Sequence, residues 1–121
     1  MRKKVLVVDD AATIVMMEQM ILGKTYEIVT ARNGLEAVEK AVAVQPDLIL
    51  LDVMMPMQGG IETCRQLRAH AETREIPIIM VSTRSEIESV EASYESGCSA
   101  YVTKPINSRE LLSTVKSFIG A

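Results

Sequence analysis

The chain has 121 residues, the size of one ordinary domain, and a net charge of −3. Apart from Arg2, Lys3 and Lys4 its basic residues are scattered, which argues against direct binding of nucleic acid. No apolar stretch is as long as a membrane span, and the few apolar residues after the basic start are too short for a signal peptide, so a soluble, cytoplasmic protein is expected.

Val5-Leu6-Val7-Val8 is a continuous apolar run, as in a strand buried on both faces, and Asp9 and Asp10 end it. Ala11 to Leu22 is apolar at helical spacing and stops at Gly23, a natural C-cap. Tyr26 to Thr30 reads as a β-branched strand. Asn33 caps a second helix running to about Val44, and Pro46 closes it. Leu48 to Leu51 is another apolar strand ending at an acid, Asp52. A loop rich in Met and Gly follows, then a helix from Ile61 to about His70. Ile76 to Val81 is a fourth strand, ending at Ser82 and Thr83. Ser85 with Glu88 fits a capping box for a helix that Gly97 terminates. Ala100 to Val102 is a short fifth strand leading to Thr103, Lys104 and Pro105. Asn107 with Glu110 is a second capping box, opening a last helix to about Ile119. Cys64 and Cys98 lack metal-ligand spacing and are read as reduced, semi-buried thiols.

Five strands alternating with five helices imply right-handed crossovers and a doubly wound α/β domain with a parallel sheet, spanning residues 1–121. In such sheets ligands bind beyond the carboxyl ends of the strands, where the strand order reverses. Those ends carry Asp9 and Asp10, Asp52, Ser82 and Thr83, and Lys104. Two unit charges ~4 Å apart repel by about 4 kcal/mol at an effective dielectric near 20, so three crowded carboxylates should recruit a hard cation. Mg²⁺ suits them, since it takes oxygen ligands from one or two carboxylates, waters and phosphate. Lys104 adds a charge able to neutralise a phosphoryl oxygen, and the Ser82 hydroxyl can donate to the same group.

These residues carry a resemblance. Val7-Val8-Asp9-Asp10, the run from Asp47 to Pro56, Val81-Ser82, and Ala100 to Pro105 resemble the receiver domain of bacterial two-component response regulators, of the chemotaxis-regulator type. The likeness covers Lys3 to Ile119 and implies a flavodoxin-like fold. It further implies that Asp52 takes a phosphoryl group from a histidine kinase or phosphotransfer domain. Asp10, Asp52 and the backbone carbonyl of Met54 would ligate Mg²⁺, with Asp9 acting largely through water. Lys104 would pair with the phosphoryl oxygens, and its bond to Pro105 would be cis. Ser82 and Tyr101 would be the switch residues, reporting to a downstream partner or output domain through the face from Ser85 to Ile119. A monomer or a phosphorylation-dependent dimer fits equally.

Departures from the family pattern add expectations. Ser82 stands where Thr is commoner. Met54 and Arg84 occupy positions that tune acyl-phosphate lifetime, and an apolar Met54 predicts slow dephosphorylation. Gln58-Gly59-Gly60 replaces a loop that commonly holds an acid. Glu88, Glu91 and Glu95 form an acidic stripe that is either a solvated face or a dock for a basic partner, and His70 is expected to be exposed. Two other classes compete. A flavin binder would want a phosphate loop where Asp9-Asp10-Ala11-Ala12 stands, and an aspartyl hydrolase would want a cap domain. A purely interacting module would not need the acid cluster.

Overall fold

The backbone alternates strand and helix throughout. The computed structural model describes residues 2–83 and 86–120, and the order is β1 (Lys4–Val8), α1 (Ala12–Leu22), β2 (Glu27–Ala31), α2 (Gly34–Val44), β3 (Leu48–Asp52), α3 (Gly60–Ala69), β4 (Ile78–Ser82), α4 (Ile87–Glu95), β5 (Ala100–Thr103) and α5 (Ser108–Ile119). All strand pairs are parallel, in the order β2-β1-β3-β4-β5. The chain thus starts in the middle of its sheet and winds outward both ways, with the reversal between β1 and β3.

Alternation along each strand divides the core in two. Val5, Val7, Leu48, Leu50, Ile79 and Val81 face one layer, where Leu22 of α1 and Leu111 and Val115 of α5 meet them. Leu6, Val8, Ile49, Leu51, Ile78 and Met80 face the other, with Ala37 and Ala41 of α2 and Cys64 and Leu67 of α3. Burial on both faces is why β1, β3 and β4 read as unbroken apolar runs.

Most expected boundaries hold to within a residue. Asn33 Oδ1 accepts the Glu36 N–H at 2.9 Å, and Asn107 Oδ1 accepts that of Glu110 at 2.9 Å. Gly97, at φ 108°, takes the left-handed turn that ends α4. Gly23 also ends its helix, but in a right-handed conformation, because the chain makes a further turn there before β2. The fourth strand begins at Ile78 rather than Ile76, since Pro77 has no N–H to pair. Tyr26 precedes β2 as a fully buried core residue whose hydroxyl donates to the Gly120 carbonyl. Cys64 and Cys98 are free and buried outright, and burial raises both thiols, Cys98 to about 12. Ser85, and with it the first half of the expected capping box of α4, lies outside the described residues, as does Arg84. The α4 stripe of Glu88, Glu91 and Glu95 is exposed, as is His70.

Candidate functional site

Parallel register sets the strand ends side by side. Val8 pairs with Leu51, Asp52 with Val81, and Ser82 with Thr103, so Asp9, Asp52, Ser82 and Lys104 follow one another across the carboxyl edge. Backbone bonds fix these ends: Lys104 N–H donates to the Ser82 carbonyl at 2.7 Å, and Val53 N–H to that of Val81 at 3.2 Å. Gly60 lets α3 start against the end of β3, where a Cβ would stand 2.3 Å from the Asp52 carbonyl oxygen. Gln58 secures the loop above, donating from Nε2 to Thr63 Oγ1 at 3.0 Å and to Gln66 Oε1 at 3.2 Å. The Gln58 amide thus ties the Gln58-Gly59-Gly60 loop to α3.

At the edge, carboxylate oxygens of Asp9, Asp10 and Asp52 lie within 4.8 Å of one another. Asp9 and Asp52 are buried and Asp10 is exposed, so the cluster opens to solvent on one side. Lys104 Nζ reaches Asp9 Oδ2 at 3.2 Å and Asp52 Oδ1 at 3.4 Å. Asp9 Oδ1 also accepts the Ala11 N–H at 2.9 Å. Burial pushes the Asp52 carboxyl up to about 6; Asp9 pushes the same way, while Lys104 and the Met54 N–H oppose it. Burial works against the Lys104 ammonium, but Asp52 and Asp9 outweigh it and hold the group above its ordinary value. Three hard oxygen donors with an open side fit a divalent cation such as Mg²⁺, whose field would draw Asp52 down again.

Ser82 is buried at the end of β4, and half-buried Tyr101 on β5 packs against the core layer of α2 and α3. The peptide bond from Lys104 to Pro105 is cis, as the resemblance implied. All the expected site residues except Tyr101, which lies three residues up its strand from Lys104, therefore gather at one edge. Met54 turns its side chain outward and its backbone towards Asp52.

One residue at this site was missed. Glu18 of α1 is 2% exposed and has no salt-bridge partner among the described residues. Burial, with Asp9 and Asp52 adding to it and Lys104 opposing, pushes its carboxyl up to about 8. Glu18 is the only charged residue in α1 and lies three residues from Val15 and four from Leu22, both facing inward. That spacing was the available signal.

A doubly wound parallel sheet with carboxylates and an ammonium at its switch point defines a flavodoxin-like domain with an acidic site. The chain belongs to the response regulator receiver domain family, whose model matches residues 5–116. It is 42% identical over 120 residues to the alkaline phosphatase synthesis transcriptional regulatory protein PhoP of Bacillus subtilis, covering 98% of this chain and 49% of that protein. The polar-differentiation response regulator DivK of Brucella anthropi is 36% identical over 121 residues, 99% of this chain and 98% of its own. The chain thus spans about half the length of the transcriptional regulators it matches and nearly all of DivK. Among solved structures, chemotaxis protein CheY4 of Vibrio cholerae superposes with a TM-score of 0.93 at 32% identity, covering 98% of this chain and all of that one. The receiver domain of sensor histidine kinase PA1611 of Pseudomonas aeruginosa, with magnesium in its active-site cleft, gives 0.92 at 25% identity, with both chains fully covered. This chain is accordingly a receiver domain of two-component signalling, a switch by class. No helix among the described residues is long and apolar enough to cross a membrane.

Proposed function

We propose that residues 1–121 act as one receiver domain whose phosphoacceptor is Asp52, working in the cytoplasm with a histidine kinase or phosphotransfer domain as donor. The observation that carries this reading is the pairing of Lys104 with both Asp9 and Asp52 beside an open three-carboxylate cluster. An Asp52 oxygen attacks the phosphorus of the donor's phosphohistidine; the P–O bond forms as the P–N bond breaks, and the imidazole leaves with a proton from solvent. Asp9, Asp10, Asp52 and the Met54 carbonyl would hold Mg²⁺, which supplies charge neutralisation between the carboxylates and the phosphoryl oxygens when bound. Lys104 moves from its two carboxylates to a phosphoryl oxygen.

Ser82 donates its hydroxyl to the same group, and Tyr101 follows inward. Hydrogen bonds to a charged group contribute roughly 1.5–3 kcal/mol each. Together Ser82 and Lys104 supply most of the about 5.5 kcal/mol that inverts a 1:99 equilibrium. The changed surface of α4, β5 and α5 then signals to a downstream partner or output domain, as a monomer or a dimer. The Met54 side chain cannot orient a water by hydrogen bonding, so the acyl phosphate is long-lived.

The test is labelling of the chain by phosphoramidate with and without Mg²⁺, repeated on Asp52→Ala. Stoichiometric, Mg²⁺-dependent labelling that disappears in Asp52→Ala is expected, and it would decay over minutes or longer. An unlabelled parent chain would remove the reading, and continuous phosphate release would make the chain an enzyme instead.

A further inference from the structure

α4 turns its large apolar side chains outward. Within the helix only Ser93 is buried, and the buried Ser96 follows at its end. The Ser93 hydroxyl donates to the Ser89 carbonyl at 3.0 Å and the Ser96 hydroxyl to the Ser93 carbonyl at 2.6 Å, so the inner face satisfies itself within the helix. Ile87 and Tyr94 stand 74% and 48% exposed. They lie seven residues apart, two helical turns, and share one face with Glu91 between them. Glu88 and Glu95 repeat the same step along the flank of that face. All three glutamates are exposed, and no lysine or arginine lies within the helix. α4 therefore presents an apolar ridge with an acidic side.

The other layer of the sheet offers the reverse. α1 and α5 cover one face together, whereas α4 sits beside α3 on the opposite one, where the Cys64 thiol donates to the Ser96 carbonyl at 3.5 Å. Between α1 and α5 runs a groove of about 610 Å³ with Met17, Met20, Ile21 and Leu112 as its apolar lining. It shares Arg109 and Leu112 with a second recess of about 290 Å³ that reaches Lys116. Lys24, Arg109 and Lys116 supply the charge, and no carboxylate among the described residues lines either hollow. Arg109 and Lys116 are again seven residues apart. Their separation along the α5 axis, about 10 Å, equals that of Glu88 and Glu95 along α4.

We infer that the groove between α1 and α5 receives α4 of a second copy of this chain. Ile87 and Tyr94 seat against Met17, Met20 and Leu112, while Glu88 and Glu95 meet Arg109 and Lys116. This is helix-in-groove recognition with anchors two turns apart. Apolar burial supplies the attraction; the charges set register and orientation, because exposed ion pairs contribute little by themselves. Pairing ridge with ridge would set glutamates against glutamates, and pairing groove with groove would set cations against cations. Ridge and groove lie on opposite layers, so two copies cannot satisfy both in one contact. The association is head-to-tail and leaves a free ridge at one end and a free groove at the other. It needs no phosphoryl group on Asp52, and it withholds α4 from any other partner.

Sedimentation equilibrium of the whole chain over a range of concentrations tests this, with far-UV circular dichroism to confirm that each variant is folded. The weight-average mass of the parent should climb with concentration past that of a dimer, and Tyr94→Ala should weaken association about tenfold. Glu88→Lys/Glu95→Lys reverses the ridge and Arg109→Glu/Lys116→Glu reverses the groove; each variant alone should stay monomeric where the parent associates. An equimolar mixture of the two should associate again, as should a chain carrying all four substitutions, to within about tenfold of the parent. A parent that remains monomeric up to about 1 mM overturns the proposal, and leaves both surfaces to other proteins. A groove variant that still associates overturns it in favour of ridge against ridge, and a ridge variant that still associates in favour of groove against groove. A mixture that stays monomeric overturns it as well, because the two surfaces would then not be each other's partners.

Discussion

α1 and α5 lie side by side on one face of the sheet, yet they are made by opposite rules. α5 opens with the Asn107 cap, buries Leu111 and Val115 against the strands, and carries Glu110 in its first turn and Lys116 in its last. Its ends suit the helix dipole and its pattern suits the core. α1 has no side-chain cap, no acid in its first turn and no base in its last. It buries Glu18 beside the acid cluster and exposes Met16, Met17 and Met20. Local rules are broken where another demand acts on the residue. α5 shows how this sequence builds a helix when only folding is at stake, and α1 shows what the neighbouring acid cluster changes.

The largest expected effect tests the obedient helix. Leu111 is fully buried between β-strand side chains, so Leu111→Ala should cost about 3 kcal/mol, within the 2–5 kcal/mol span of buried leucine truncations. Urea unfolding followed by far-UV circular dichroism measures it. A loss under about 1 kcal/mol would mean that α5 is held by something other than its apolar face.

The same contrast explains what could be read from the sequence. Capped, amphipathic α2 and α5 were legible from Asn33 and Asn107 and from the spacing of their apolar residues. The strand ends were legible because each apolar run stops at a residue with chemistry: Asp9, Asp52, Ser82 or Lys104. Glu18 was hard to read, because most of its neighbours along the helix are apolar, so its spacing from Val15 and Leu22 points inward only once the fold decides which side is inside. Arg68 was likewise hidden. Its guanidinium donates to the carbonyls of Gly97 at 2.8 Å, Ile76 at 2.7 Å and Arg74 at 3.0 Å, tying the end of α3 to the loops that enter β4 and β5. Backbone carbonyls carry no sequence signature, so such a clamp emerges only when the loops converge.

Glu18 supplies the next effect. In the folded chain its carboxyl stays protonated up to about pH 8, chiefly through burial, whereas unfolded it ionises near 4.5. The folded state therefore binds the extra proton between those values, and stability falls as pH rises through that window, by at most about 1.4 kcal/mol per pH unit. Asp52, pushed up to about 6, contributes a slope of the same sign at lower pH, so the interval above 6.5 isolates Glu18. Glu18→Gln should flatten the slope there and raise stability at pH 8 by roughly 2–3 kcal/mol. Paired denaturation curves at pH 6.5 and 8 decide it, and equal slopes in parent and variant would show that the carboxyl ionises freely in the folded chain.

The smallest effect is the most telling about the outward face of α1. Met20 is 73% exposed, so truncation to Ala removes little buried surface, and Ala has the higher helix propensity. Met20→Ala should change stability by less than about 0.5 kcal/mol, an order below Leu111→Ala on the neighbouring helix. Thermal unfolding of the two variants under one set of conditions makes the measurement. A null result for Met20 would separate the two helices cleanly: Leu111 is there to fold the chain, while the Met20 side chain contributes nothing to folding. A loss of 1 kcal/mol or more would erase that distinction, because Met20 would then be packing within the fold, over the groove it shares with Ile21 and Leu112, instead of waiting on its rim.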